Sequence, residues 1–325
     1  MATPFHYAIA ALITLTLLPI TAHCFQPLTY SIFGRLYNNI EGYIARQKVN
    51  ADLITTMTKY PNESDDKYSY ATTSPKVDHS LWNELMKKHV SPGVIDGITT
   101  NVVNYQGMAA DQDVPTYLQV LANANLADME YYPNELKALY INAYNCLCIG
   151  HVTRYMKENG GGTLPSSVTK TVPPSSDKKE IWDVEAGVVG GQTVSLNDIE
   201  HKILRSKWDD PRIHASIVCA SASCPNLRAE AFLPYKLNVQ MDDQASTWVG
   251  DVTKGVKVVV KKGDDQTFFS RIFLWFEGDF KSSGGVIAWV KKYLENDDGE
   301  ASSILDDGGD LEMKYFTYNW NLNKK

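Results

Sequence analysis

The segment 212–228 contains the residue types best suited to chemistry, because the histidine His214 precedes the cysteine Cys224 within it. Apolar and polar side chains alternate over residues 212–219, which predicts a strand. Pro225 favours the first turn of a helix, so Cys224 is expected at a helix N-terminus, where the helix dipole lowers the pKa of a thiol. An imidazole on the preceding strand can then act as a base. The segment therefore predicts a Cys–His nucleophile pair.

A structural interpretation of the same residues stays open. In an oxidising compartment, Cys219 and Cys224 can form a disulfide, and His214 can be a hydrogen-bonded core histidine. The chain would then be a non-catalytic binding domain, with aromatic residues such as Trp275, Tyr315 and Trp320 forming a surface. A thiol–disulfide redox role for the two cysteines is a further alternative, although their spacing is not the CxxC of redox motifs.

A buried helix is predicted over residues 134–149, because apolar side chains cover nearly every side of it. Asn142 and Asn145 lie three residues apart and are neighbours on that helix. A buried amide must find hydrogen-bond partners or lose about 1–3 kcal/mol. We expect Asn145 to reach the site of Cys224 and Asn142 to be mainly structural.

A second helix with a polar residue on its inner face is predicted over residues 196–205, where Ser195 and Asp198 resemble a capping box. Glu200 falls inside the apolar stripe of this helix and needs a partner, for which Arg212 and His214 are suitable. The functional interpretation is a triad in which Cys224 is the nucleophile, His214 the base and Glu200 the orienting carboxylate. Asn145, Asn142 and Arg212 are the expected substrate-binding residues.

The N-terminus predicts the compartment. Residues 8–20 form an apolar run too short to span a bilayer. Ala22 and Cys24 are small residues at the spacing of a cleavage site, so residues 1–24 are expected to be a signal peptide. We expect a helical segment and linker over residues 25–80, and one domain over residues 81–325. The protein is then secreted or lumenal, without an integral membrane segment after cleavage, and Asn62 begins a glycosylation sequon.

The composition of the chain and the order of its predicted elements limit the possible fold classes and binding partners. The net charge is −7 and the pI about 5.5, which argues against a nucleic-acid or anionic-membrane binder. No motif predicts a cofactor, and the cysteines lack the histidines of a zinc site. Predicted helices outnumber strands, and the strands cluster in the second half. The fold class is α+β, helix-rich with a small, mainly antiparallel sheet.

Several of these segments together resemble the signature blocks of the domain of unknown function 547 family, in the expected order over residues 81–323. The blocks are INAYN (141–145), SLNDIEH (195–201), DPRIH (210–214), SCP (223–225), SRIFLWF (270–276) and YNWNLN (318–323). The last block departs from the family's usual YDWSLN at Asn319 and Asn321, which puts the role of that aspartate in doubt here.

The resemblance implies a similarity to papain-like and transglutaminase-like cysteine hydrolases. Because His214 precedes Cys224, it implies a circularly permuted papain-like core. The leading hypothesis is a secreted or lumenal thiol hydrolase that cleaves a peptide, amide or similar acyl bond in a peptide or small-molecule substrate. A permanent Cys219–Cys224 disulfide would exclude Cys224 as the nucleophile.

Overall fold

The computed structural model describes residues 75–178, 180–259, 266–294 and 313–325. The expected signal peptide, the N-terminal segment up to residue 74 and the Asn62 sequon lie outside these ranges. The α-helices are α1 (Ser80–His89), α2 (Tyr105–Ala110), α3 (Asp113–Ala122), α4 (Leu126–Met129), α5 (Pro133–Glu158), α6 (Arg205–Lys207), α7 (Ile213–Ser216), α8 (Leu237–Val249), α9 (Arg271–Trp275) and α10 (Val286–Leu294). A π-helix, Asp198–Leu204, runs directly into α6, and 3₁₀ turns cover Val168–Lys170, Ile181–Asp183, Pro234–Lys236 and Glu277–Ser283.

The strands are short and form small sheets. They are β1 (Val90–Ile95), β2 (Ile98–Val103), β3 (Glu185–Val189), β4 (Gln192–Ser195), β5 (Val256–Val259), β6 (Gln266–Phe269) and β7 (Met313–Tyr315). β1–β2 and β3–β4 are antiparallel hairpins, whereas β6 pairs antiparallel with β5 and parallel with β7. The fold is therefore α+β, helix-rich with small, mainly antiparallel sheets, as predicted.

Helix α5 is the centre of the larger core. Pro133 begins it, Glu135 in its first turn and Lys157 in its last complement the helix dipole, and nearly every residue from 135 to 149 is buried. A second, aromatic-rich core includes Trp248, Phe273 and Trp289.

The segment predicted to do chemistry lies at the boundary of these two cores. Ile213 and Ile217 pack into the core around α5, whereas Ala215 packs into the aromatic core. The following residues, Val218, Ala220 and Cys224, return to the core around α5.

The helix predicted around Asn142 and Asn145 is α5, so this prediction is confirmed. Other elements also follow from local sequence patterns. Leu237, Met241, Ala245 and Trp248 have the spacing of an amphipathic helix, and they lie on α8. Ser270, a residue type favoured at helix N-caps, caps α9 by accepting the N–H of Ile272. A glycine pair, which is typical of a tight turn, joins β3 to β4 with φ of 55° at Gly190 and 74° at Gly191.

The predicted strand over 212–219 is wrong. Residues Ile213–Ser216 form the helical turn α7, in which the N–H of Ile217 bonds to the carbonyl of Ile213. Asp210 starts this turn by accepting the N–H of Arg212, and Pro211 restricts the backbone beside it. The predicted helix after Cys224 is also absent, since residues 225–228 have no regular structure.

Candidate functional site: a thiol pair

Cys219 and Cys224 lie side by side. Their Sγ atoms are 3.1 Å apart, and the backbone N–H of Cys219 donates to Sγ of Cys224 at 3.1 Å. Both are free thiols, as are Cys146 and Cys148 on α5, so no disulfide joins cysteines within the described residues. As a residue, Cys219 is partly exposed, whereas Cys224 is buried.

Hydrogen-bond donors surround the sulfur of Cys219. The hydroxyls of Ser221 and Tyr318 lie 3.1 Å and 3.2 Å from Sγ, and Ser221 Oγ donates to the Tyr318 hydroxyl at 3.0 Å. When Cys219 is ionised, the thiol of Cys224 donates to it, and this bond, together with those from Ser221 and Tyr318, lowers the pKa of Cys219 to about 7. Burial, and then the neighbouring Cys219, raises the pKa of Cys224 well above its ordinary value.

The C-terminal segment places Tyr318 against this sulfur. The N–H groups of Ala222 and Ser223 donate to the carbonyls of Asn321 and Asn319, and that of Asn323 donates to the carbonyl of Ala220. Ala220 itself has φ of 61°, the left-handed conformation that turns the chain sharply between Cys219 and Ser221. The loop and the C-terminal segment therefore form one hydrogen-bonded unit around the thiol pair.

Asn145 fixes the chain immediately before Cys219. Its amide nitrogen donates to the carbonyl of Ser216 at 3.0 Å, and its oxygen accepts the N–H of Val218 at 2.8 Å. Asn142 makes the same paired contact with Phe232, at 2.8 Å and 2.9 Å. Asn145 thus positions the site through the backbone, and the predicted structural role of Asn142 agrees with its bonds.

His214 belongs to a buried ionic cluster. Its Nε2 lies 2.8 Å from Oδ2 of Asp279, which also accepts Nε of Arg205 at 2.6 Å, and its ring stacks on Phe276 with a centroid distance of 4.3 Å. Burial alone would raise the pKa of Asp279, but the bonds and charges of His214 and Arg205 hold it well below its usual range. No hydrogen bond joins His214 to either sulfur among the described residues, so the predicted Cys–His contact is not made here.

Glu200 and Arg212 have partners other than His214. Glu200 is buried, as predicted, and accepts the hydroxyl of Tyr144 at 3.2 Å. Arg212 forms a two-point ion pair with Asp210, at 2.9 Å and 2.8 Å, and bonds to Asp242 at 3.0 Å. The three catalytic residues proposed from the sequence therefore occupy three different hydrogen-bond networks.

Aromatic rings border the thiol pair. Tyr318 packs against Trp275 and Trp320, with centroid distances of 4.8 Å and 4.4 Å, and Trp320 also contacts Trp182 at 5.7 Å. All four are partly exposed. Trp275 and Trp320, which were expected to contribute to a surface, both contact the ring of Tyr318, whose hydroxyl lies 3.2 Å from the sulfur of Cys219.

Part of the chain matches a protein family whose function is unknown. Residues 128–249 match the family model described as "Protein of unknown function, DUF547", so the resemblance is confirmed for this segment, which contains the four blocks between residues 141 and 225. No curated protein and no solved structure matches the chain. The matched segment contains Asn145, Cys219 and Cys224, whereas Tyr318 and Asp279 lie beyond it.

The described residues contain no helix that is both long enough and apolar enough to cross a membrane.

Proposed function

We propose that this protein carries out thiol–disulfide exchange, with Cys219 as the attacking thiol and Cys224 as the resolving thiol. The observation that carries the proposal is the contact, at 3.1 Å, between the thiol of the partly exposed Cys219, whose pKa is lowered, and the thiol of the buried Cys224, whose pKa is raised. Exchange needs a thiolate that is populated near neutral pH and a second thiol close enough to complete the reaction. The expected signal peptide would deliver the pair to an oxidising compartment, where disulfide substrates occur.

The reaction has two steps. The Cys219 thiolate attacks one sulfur of a substrate disulfide, forming a mixed disulfide and releasing the other substrate sulfur as a thiolate. Cys224 then loses its proton and attacks Sγ of Cys219, which forms the Cys219–Cys224 disulfide and releases the second substrate thiolate. The substrate gains the two electrons that the cysteine pair loses.

Oxidised glutathione is the probe that tests this proposal. Fully reduced protein is incubated with it, quenched with acid and mapped by non-reducing peptide mass spectrometry. We expect a Cys219–Cys224 disulfide to form and two glutathione thiols to be released per chain, and Cys146→Ala to behave like the wild type because Cys146 is buried on α5. Glutathione retained on any cysteine as the end product would contradict the proposal.

A thiol hydrolase, the function expected from the sequence, is the second candidate. One observation favours it: the N–H of Ser221 and the hydroxyl of Tyr318 stabilise the Cys219 thiolate, which acyl transfer also needs. In this version Cys219 replaces Cys224 as the nucleophile. With p-nitrophenyl acetate as the probe, it predicts an initial burst of nitrophenol and an acetyl group on Cys219 that turns over, whereas exchange chemistry alone predicts no turnover.

The hypothesis of a non-catalytic binding domain predicts a different state of Cys219 and Cys224. It requires a Cys219–Cys224 disulfide that is present in full in the purified protein and resists glutathione at millimolar concentration. A pair that opens and closes with the glutathione ratio would exclude it.

A further inference from the structure

Lys254 is a buried cation without an ion-pair partner among the described residues. It lies in the turn between α8 and β5, and its side chain is almost completely inaccessible. Its Nζ donates to Oδ1 of Asn226 at 2.7 Å, so an ammonium with three donors has one neutral acceptor there. A buried charge is normally paired, because burial without a partner is costly. The described part of the chain offers the contrasting case of Lys137, which is equally buried and pairs with Asp210 at 3.0 Å.

The surroundings of Lys254 connect it to the thiol pair. Asn226 follows Cys224 closely in the chain, so the lysine is anchored to the loop that contains the resolving thiol. The charges of Asp251, in the same turn, and of Cys224 and Cys219 favour the protonated form of Lys254. Among the described residues, these are the titratable groups whose charges act on Lys254.

We propose that Lys254 accepts the proton of the Cys224 thiol when that thiol attacks the mixed disulfide on Cys219. The inference rests on the proposed exchange function. It provides a base for the deprotonation of Cys224, which burial of that thiol makes difficult. Neutral Lys254 takes the proton and becomes an ammonium, the Cys224 thiolate forms the new sulfur–sulfur bond, and the departing substrate thiolate takes the electron pair of the old bond. The ammonium then loses its proton to solvent before the next cycle.

The protonation behaviour of Lys254 fits this step. Burial lowers the pKa of Lys254 to about 8, so about a tenth of the lysine is neutral at pH 7. A lysine with its ordinary pKa near 10.4 would be neutral in fewer than about one molecule in a thousand. Burial therefore gives this side chain the capacity to act as a base at neutral pH.

The test measures the second step alone. Reduced protein is mixed with oxidised glutathione, and acid-quenched samples give the rate at which the Cys219–glutathione adduct becomes the internal disulfide, as a function of pH. In the wild type we expect this rate to rise with a midpoint near pH 8. In Lys254→Met we expect it to fall at least tenfold at pH 7, with the midpoint moved upward. Lys254→Arg should not restore the rate, because a guanidinium remains protonated.

Lys137→Met is the matched control, since it also removes a buried lysine but one that pairs with a carboxylate. We expect it to lose stability and to keep the wild-type pH profile. Three results would each overturn the role of Lys254: a wild-type pH profile in Lys254→Met, a wild-type rate in Lys254→Arg, or a midpoint above pH 9 in the wild type. The last result is measured on the wild type, so it does not require a variant to fold. A wild-type protein that never forms the Cys219–Cys224 disulfide would instead refute the exchange function itself.

Discussion

The sulfur of Cys219 lies 3.1 Å from the sulfur of Cys224, and the backbone N–H of Cys219 is directed at that second sulfur. The two thiols have different environments although they share one loop. Cys219 is partly exposed and surrounded by donors, whereas Cys224 is buried. This asymmetry is the basis on which we propose Cys219 as the attacking thiol and Cys224 as the resolving thiol.

The four described cysteines should differ in reactivity. Iodoacetamide alkylation of Cys219 should reach half its maximal rate near pH 7, because the neighbouring donors lower its pKa to about 7 and the thiolate is the reacting form above that pH. Cys146, whose pKa burial raises to about 12, should remain unmodified at pH 8. Peptide mapping after short exposures measures each site, and faster labelling of Cys224 than of Cys219 would reverse the assignment.

Removal of the Tyr318 hydroxyl should make Cys219 less acidic. A hydrogen bond to a charged group contributes about 1.5–3 kcal/mol, so Tyr318→Phe should slow alkylation of Cys219 at pH 7 by about tenfold and move the midpoint upward. Tyr117→Phe is the control, since that buried hydroxyl bonds to His79 instead. An unchanged midpoint in Tyr318→Phe would show that the tyrosine does not stabilise the thiolate.

The two asparagines of α5 provide a matched pair. Asn145→Ala and Asn142→Ala each remove two bonds to backbone groups, at 2.8–3.0 Å, and should each lower the free energy of unfolding by about 1–3 kcal/mol. Only Asn145→Ala should also change the alkylation rate of Cys219, because Asn145 holds the backbone just before it. Equal alkylation rates in the two folded variants would remove Asn145 from the site.

Asp279 should contribute to stability and not to thiol reactivity. Asp279→Asn leaves Arg205 buried without its carboxylate, and should cost about 3–5 kcal/mol at pH 7. Since the folded pKa of Asp279 is depressed, its contribution is complete above the unfolded carboxyl pKa of about 4 and is lost as the pH falls below that value. The stability difference between the variant and the wild type, measured by urea unfolding, should therefore shrink toward pH 3. A shifted alkylation midpoint in folded Asp279→Asn would show that the His214 cluster acts on the thiol.

Much of the secondary structure around the site can be predicted from the sequence, because strong local sequence patterns determine it. The apolar residues on all sides of α5 predicted a buried helix, and the structure confirms it. Ser270 at the N-cap of α9 and the glycine pair Gly190–Gly191 between β3 and β4 are further local signals of this kind. The alternation over residues 212–219 was misleading because Asp210 and Pro211 begin a helical turn there, a local signal that outweighs a short period-two pattern.

The roles within the site depend on contacts between distant segments. The cysteine-containing loop and the buried carboxylate Glu200 could be found from residue types and helical spacing. Tyr318 and Lys254 could not. Pairing of the C-terminal segment brings Tyr318 to Cys219, and the turn between α8 and β5 brings Lys254 to Asn226. The family block that contains Tyr318 indicated that this segment is important, but it did not predict the contact between the Tyr318 hydroxyl and the sulfur of Cys219.

The most direct test of the account compares Cys224→Ser with Cys219→Ser after exposure of reduced protein to oxidised glutathione. Cys224→Ser should accumulate one glutathione on Cys219, because the first step proceeds and the resolving thiol is missing. Cys219→Ser should remain unmodified at neutral pH, because burial raises the pKa of Cys224. Glutathione on Cys224 of the Cys219→Ser variant, with Cys219 unmodified in the other, would contradict the account.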